Sequence, residues 1–331
     1  MITFFTFFGQ QARLILALGV LIGLFLPNFG EIVAPALQVL VVLLLATAMI
    51  RVDLLQVLSH LKNPIKLGGL LFLLMIALPV IIHLACQFIG LSPVLHIALV
   101  LVACAPPLAS APSMAALLKL DDALVLNILV VGTLIVPFTV PLITLYLLEL
   151  PLNLDPLSLL SRLLLTISLA IILAIFLRKT IGETRLIRYH KLMDGVSALI
   201  MLIFAIVIMN GIGLHAFDDM DAFVENLSAA LFANWGIHLL FLIVFVASRK
   251  ISKPRNSLIS PTQGAVALMA GNRNAALFLA TFPPETVTSL LLFIALAQFP
   301  IYLTPLASTP LYGWLTKYKE SPPSPSTPTK I

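Results

Sequence analysis

The sequence predicts an all-α integral membrane protein whose ten transmembrane helices form two inverted five-helix repeats, with helices 4 and 9 discontinuous. Three observations carry this: the composition, a succession of apolar stretches along almost the whole chain, and interruptions at matching places in two of them. Of 331 residues, 60% are hydrophobic and only 10% charged, with a mean hydropathy of +1.12. Soluble domains usually carry about 25% charged residues, and no soluble domain fits between the apolar stretches.

In chain order the spans fall at about 12–27, 33–50, 65–89, 94–118, 122–148, 157–178, 192–213, 225–248, 261–281 and 286–316. Each is read as crossing a hydrocarbon core of about 30 Å as a helix. The apolar opening at residues 1–8 has no basic segment, and no small-residue cleavage site follows the first span. That span therefore reads as a transmembrane helix and not as a signal peptide. Residues 1–150 make the first repeat and 151–316 the second. The tail, 317–331, is rich in Pro, Ser and Thr and reads as disordered and cytoplasmic.

Charge sets the orientation. Cytoplasmic termini place Arg13, Arg51, Lys62, Lys66, Lys119, the clusters at 178–191 and 249–255, and Lys317, Lys319 and Lys330 on the cytoplasmic side, as the positive-inside rule requires. Of 19 Lys and Arg residues, only Arg162 and Arg273 fall elsewhere. The sequence pI of about 9.3 therefore reports orientation in a cytoplasmic (inner) membrane. The lipid bilayer is the surrounding this chain requires, and the basic residues indicate no nucleic acid. Cys86 and Cys104 lie inside spans at no metal-ligand or disulfide spacing and read as packing residues.

The fourth span is interrupted at Ala105-Pro106-Pro107, with Ser110 and Pro112 following, and the ninth at Gly271-Asn272-Arg273-Asn274. The two breaks are five spans apart, and an odd number of spans per half reverses the orientation of the second half. Interrupted helices in corresponding positions mark an inverted-repeat secondary transporter. Backbone freed at mid-membrane is tolerated only against protein or a water-filled cavity, so the two breaks are expected to cross.

Arg273 strengthens that expectation, because a cation inside a span costs about +2.5 to +3.5 kcal/mol on insertion scales. Ser110 is placed to cap the half-helix Ala111-Pro112-Ser113-Met114, and Asn274 the one beginning at Ala275. Two helix N-termini beside Arg273 describe a substrate site for a small organic anion. The structural alternative has the Arg273 guanidinium satisfying carbonyls freed by the first break, with Asn272 or Asn274 as a further carbonyl partner. Asn127 and Thr133 in the fifth span and Gln298 in the tenth are candidate lining residues, and Ser113 belongs to the first restart. Pro106, Pro107, Pro112 and Gly271 are the helix-breaking residues. His83, Asn210, Asn234 and His238 read as helix–helix hydrogen-bonding residues. No catalytic residue and no metal ligand is assigned.

The stretch Cys104-Ala105-Pro106-Pro107, continuing through Pro112-Ser113-Met114, Lys119, Ala123-Leu124, Thr133-Leu134 and Pro137, resembles the fourth and fifth helices of the bile acid:sodium symporter superfamily. The family pattern there is Cys-Ala-Pro-Gly-Gly, then Ser-Asn, a Lys after the half-helix and a Pro in the next helix. Asn272 with Ala275-Ala276-Leu277 is similar to its Gln-Asn-Ser-Gly-Leu-Ala break. The resemblance implies a panel of helices 1, 2, 6 and 7, a core of helices 3–5 and 8–10, and a substrate site in the cleft between them. It also implies sodium-coupled uptake of organic anions.

The chain departs from that pattern at the ions. Ala111-Pro112 stand where the family has a sodium-binding Ser-Asn, and Ala267 where it has a glutamate shared by two sodium sites. No Asp or Glu lies in the interior of a span. Arg273 is then expected to supply the fixed positive charge that Na⁺ supplies in the family, with uptake independent of sodium and no other cofactor.

Two other classes compete. The acidic run at 218–221 is similar to the acidic pairs that bind Mg²⁺-diphosphate in intramembrane prenyltransferases, but no second acidic motif faces it on the same side. An anion channel would need a ring of carbonyls or charges along an open pore, whereas mid-membrane breaks in a two-fold repeat favour alternating access.

Overall fold

The computed structural model describes residues 36–50, 64–148, 155–209, 219–249 and 258–315, together with positions 18, 19, 22, 23 and 25. Most of the first expected span, Asn210, Asp218 and the tail at 317–331 lie outside the described residues. Every regular element among the described residues is helical. Five helices are long and apolar enough to cross a membrane: Pro64–Ile89, Asp122–Leu147, Pro156–Ile181, Met220–Ser248 and Thr286–Leu315. They coincide with the third, fifth, sixth, eighth and tenth expected spans.

In chain order the elements are α1 (Leu37–Met49), α2 (Pro64–Ile89), α3 (Pro93–Cys104), α4 (Ala111–Leu117), α5 (Asp122–Leu147) and α6 (Pro156–Ile181). There follow α7 (Glu183–Arg188), α8 (His190–Ile208), α9 (Met220–Ser248), α10 (Pro261–Gly271), α11 (Ala276–Leu279) and α12 (Pro284–Leu315). Helices α3, α6 and α10 start with a proline in the first turn, where the missing N–H has no partner to lose. Gly90 ends α2 in the left-handed conformation, at φ 73°. Ser260 and Gln263 form a reciprocal capping box at the start of α10.

Asp121 does two jobs at once. One carboxylate oxygen accepts from Leu124 N at 3.1 Å and caps α5, while the other accepts from the Thr262 hydroxyl at 3.0 Å and ties that start to the start of α10. Asp121→Ala is expected to lower stability by about 1–2 kcal/mol, the usual cost of a lost cap. Asp121→Asn keeps an acceptor and should recover most of that loss in a thermal unfolding assay.

The helices pack in two groups. Helix α1 packs against α6 and α8; separately, α2, α3, α4, α5, α9, α10 and α12 pack among themselves. The groups meet most extensively where α5 runs along α6, a contact comparable to those within either group, and also where α11 touches α1 and where α12 touches α8. Gly19 and Gly23, four residues apart, lie against α8: a Cβ would fall 2.9 Å from the Leu202 carbonyl oxygen at the first and 2.6 Å from that of Ile206 at the second. This is the small-residue spacing that lets helix backbones approach in lipid. Helix α6 exposes Leu157, Leu165, Ile172 and Phe176, an outer surface suited to hydrocarbon and not to water.

Candidate functional site

The two interrupted segments meet and pair through their backbones. After Cys104 the chain turns extended at Ala105 (φ −64°, ψ 150°), and after Gly271 it does so at Asn272 (φ −104°, ψ 88°). Leu108 N donates to Asn272 O at 2.9 Å and Asn274 N donates to Pro106 O at 2.8 Å, which makes Pro107 and Arg273 an antiparallel bridge. Pro106 and Pro107 bring no N–H, so the first break carries two fewer donors to satisfy away from water. The short ladder takes up much of the rest.

Arg273 braces this crossing from behind. Its side chain is 1% exposed. Nε donates to Ala270 O at 3.1 Å, Nη1 to Ala105 O at 3.1 Å, and Nη2 to Leu74 O at 2.9 Å, with Met75 Sδ at 3.8 Å from Nη1. Leu74 O is open to it for a local reason. Residues Leu73–Ala77 form a π-turn within α2, in which Leu78 N reaches back to Leu73 O, and the next residue, Pro79, has no N–H to offer. The guanidinium fills the gap in the ladder.

A second π-turn, Phe232–Gly236, interrupts α9 opposite the same break. Asn234 Nδ2 donates to Gly271 O at 2.9 Å and to Asn272 Oδ1 at 3.3 Å, and Asn234 Oδ1 accepts from the Thr304 hydroxyl at 2.9 Å. Asn272 completes its own valence through Nδ2 to Leu268 O at 2.9 Å. The two π-turns place their third residues, Met75 and Asn234, against the second break from different helices.

A cavity of about 260 Å³ lies against the crossing, at the seam between the packing groups. Leu44 and Phe204, from α1 and α8, form one wall; Ser110, Asn274, Gln298 and Tyr302 supply the polar groups of the other. The Asn274 side-chain amide and the Tyr302 hydroxyl have no hydrogen-bond partner among the described residues, and Gln298 spends only its Nε2, on Ile294 O at 3.0 Å. Ser110 Oγ has only Met114 Sδ, at 4.0 Å.

Three sequence-predicted residues, Ser110, Asn274 and Gln298, thus share one cavity. The others do not. Arg273 and Asn272 do not line it: of the two roles open to them, the side-chain donors take the bracing one, spent on Ala270 O, Ala105 O and Leu74 O by Arg273 and on Leu268 O by Asn272. Thr133 is buried and returns its hydroxyl to Leu129 O at 2.7 Å. Asn127 is buried without a side-chain hydrogen bond among the described residues, away from the cavity wall, and Ser113 is exposed on α4.

Neither expected side-chain cap forms. Ser110 is already in helical backbone conformation, from which its hydroxyl does not reach the first-turn N–H groups, and Pro112 has none to receive it. Helix α11 starts after Ala275, not Asn274, and is a single turn, so it contributes little dipole. Tyr302 was missed by sequence reading, although it stands one turn after Gln298 in the same helix. His83 pairs across to His96 at 3.0 Å, and His238 to the Tyr312 hydroxyl at 2.8 Å, which joins helices as expected of them.

The sodium ligands implied by the resemblance do not fit here. Ala111 and Ala267 are fully buried methyl groups in the core, and a hard cation held by oxygens has none from either. No family model matches this chain, and no curated protein matches it.

Proposed function

We propose that this protein is a secondary transporter that carries a small organic anion across the cytoplasmic membrane by alternating access, without sodium. In this reading its ten spans form two inverted halves; α1, α6 and α8 belong to the panel, and the second packing group is the core. The observation that carries it is the pairing of two interrupted helices against a polar-edged cavity at the seam between the groups. The paired π-turns, one in the third span and one in the eighth, support the internal repeat.

The sign of the substrate follows from Arg273. Its cation has no carboxylate partner among the described residues, and Asn274, the next residue in the chain, lines the cavity. An uncompensated charge in a medium of low dielectric acts over a longer range than in water, so an anion in the cavity is favoured without touching the guanidinium. The volume lies just below the range of about 300–1,000 Å³ usual for small-molecule pockets, which supports a compact substrate over a steroid.

One residue of the acidic run, Asp219, is otherwise engaged. It caps α9, accepting from Ala222 N at 2.9 Å, and this favours transport over diphosphate chemistry. The test is uptake into proteoliposomes from a panel of carboxylates and sulfonates, with organic cations as controls, in Na⁺ and in choline. Saturable anion uptake, unchanged without Na⁺, is expected. Asn274→Leu and Gln298→Leu should each reduce it about tenfold or more, as loss of a buried polar contact does, with little change in unfolding temperature. Uptake of cations alone, or uptake that depends on Na⁺, sinks the reading.

A further inference from the structure

Of the two basic residues that break the positive-inside pattern, Arg273 is consumed by the crossing and Arg162 is not. Arg162 is exposed on α6, and its guanidinium makes no hydrogen bond or ion pair among the described residues. It stands over a groove of about 620 Å³ between α1 and α6, bordered by Gln38, Val39 and Val42 on one side and Arg162, Leu165 and Leu169 on the other. Gln38 is exposed and likewise has no side-chain partner among the described residues.

Depth identifies what a cation does there. At about 1.5 Å per residue, α6 is about 39 Å long, and Arg162 lies about 9 Å from its N-terminal end. A hydrocarbon core of about 30 Å centred on the helix puts the Arg162 backbone about 5 Å below the headgroup boundary. An arginine side chain spans that distance and delivers its charge to the phosphate level. Arg178 and Lys179 occupy the last turn of the same helix, so Arg162 serves the opposite leaflet. Below it the groove is aliphatic: Val39, Leu165 and Leu169 are 58%, 62% and 47% exposed.

We propose that this groove is a binding site for an anionic phospholipid, its phosphate held by Arg162 and Gln38 and one acyl chain lying along Val39, Val42, Leu165 and Leu169. The site rests on membrane embedding and does not require transport. Unpaired positive charge at phosphate depth selects an anionic headgroup over a zwitterionic one, and a groove continuous with that charge selects a lipid over a free phosphate.

The experiment is native mass spectrometry of the purified full chain titrated with phosphatidylglycerol or phosphatidylcholine of identical acyl chains, with inorganic phosphate as a third ligand. Preferential retention of phosphatidylglycerol is expected, weakened about fivefold in Arg162→Gln, the usual worth of one basic residue at an anionic surface. Leu165→Trp, at an exposed position, fills the groove without altering charge and should weaken the same lipid. Equal retention of both lipids, or no response to either substitution, overturns the proposal. So does binding of inorganic phosphate as tight as that of phosphatidylglycerol, or loss of a dimer in Arg162→Gln, which would make the occupant a second copy of this chain.

Discussion

Arg273→Met is expected to lower the unfolding temperature sharply and to reduce the amount of protein that accumulates in the membrane. Methionine fills much of the volume but donates nothing, so Leu74 O, Ala105 O and Ala270 O are left without the partners they now have at 2.9, 3.1 and 3.1 Å. An unsatisfied buried acceptor costs about 1–3 kcal/mol, and three of them outweigh the roughly 2.5–3.5 kcal/mol of insertion cost that removing the cation recovers. Arg273→Lys should fall between. One ammonium lacks the planar fork that reaches carbonyls on three segments, yet it keeps the charge. Uptake per folded molecule then separates the two roles: Lys should retain anion uptake within a few-fold, and Met should lose it. Equal uptake by both would leave Arg273 a brace alone and remove the electrostatic argument for an anion.

The sequence made that duality visible without resolving it, and the reason is physical. Which carbonyls compete for a buried guanidinium depends on a π-turn in α2, and such a turn is one extra residue inside an unbroken apolar helix, with no change of hydropathy to announce it. Pro79 was the available signal, since a proline inside a span must free an upstream carbonyl. The five long spans were readable because crossing lipid demands about 20 consecutive apolar residues. The two breaks were readable because Pro-Pro and Gly-Asn-Arg-Asn are expensive in such a setting.

Their register was not. Nothing local to Pro107 says that Arg273 will lie opposite it, because pairing between segments so far apart in the chain is decided by the packing of the helices that carry them. The cavity wall from α1 and α8 was equally silent: Leu44 and Phe204 look like any other lipid-compatible residue until the fold turns them inward.

Gly271→Ala is expected to be the most damaging single methyl that can be added to the core. A Cβ there would overlap the Asn234 carbonyl oxygen and lie 2.8 Å from His238 Cβ. One of these is backbone and the other the root of a side chain, so neither can move without shifting the π-turn of α9. That shift would also pull Asn234 Nδ2 from Gly271 O, adding an orphaned carbonyl to the overpacking cost of about 1–3 kcal/mol. Two other buried glycines make the comparison quantitative. At Gly264 a Cβ would meet Leu120 Cδ2 at 2.6 Å and Tyr312 Cε1 at 2.9 Å; the leucine can rotate away, while the tyrosine is held by its hydrogen bond to Gly264 O. At Gly132 the nearest atom is Met75 Sδ at 3.7 Å, an ordinary contact, so Gly132→Ala should be close to neutral, helped by alanine's better helix propensity. Thermal unfolding of the three alanine variants in detergent should therefore rank Gly271 as the most destabilised, Gly264 next and Gly132 least. If Gly271→Ala unfolds no earlier than Gly132→Ala, the close seat of α9 on the end of α10, and with it the crossing that seat supports, is not how this protein is built.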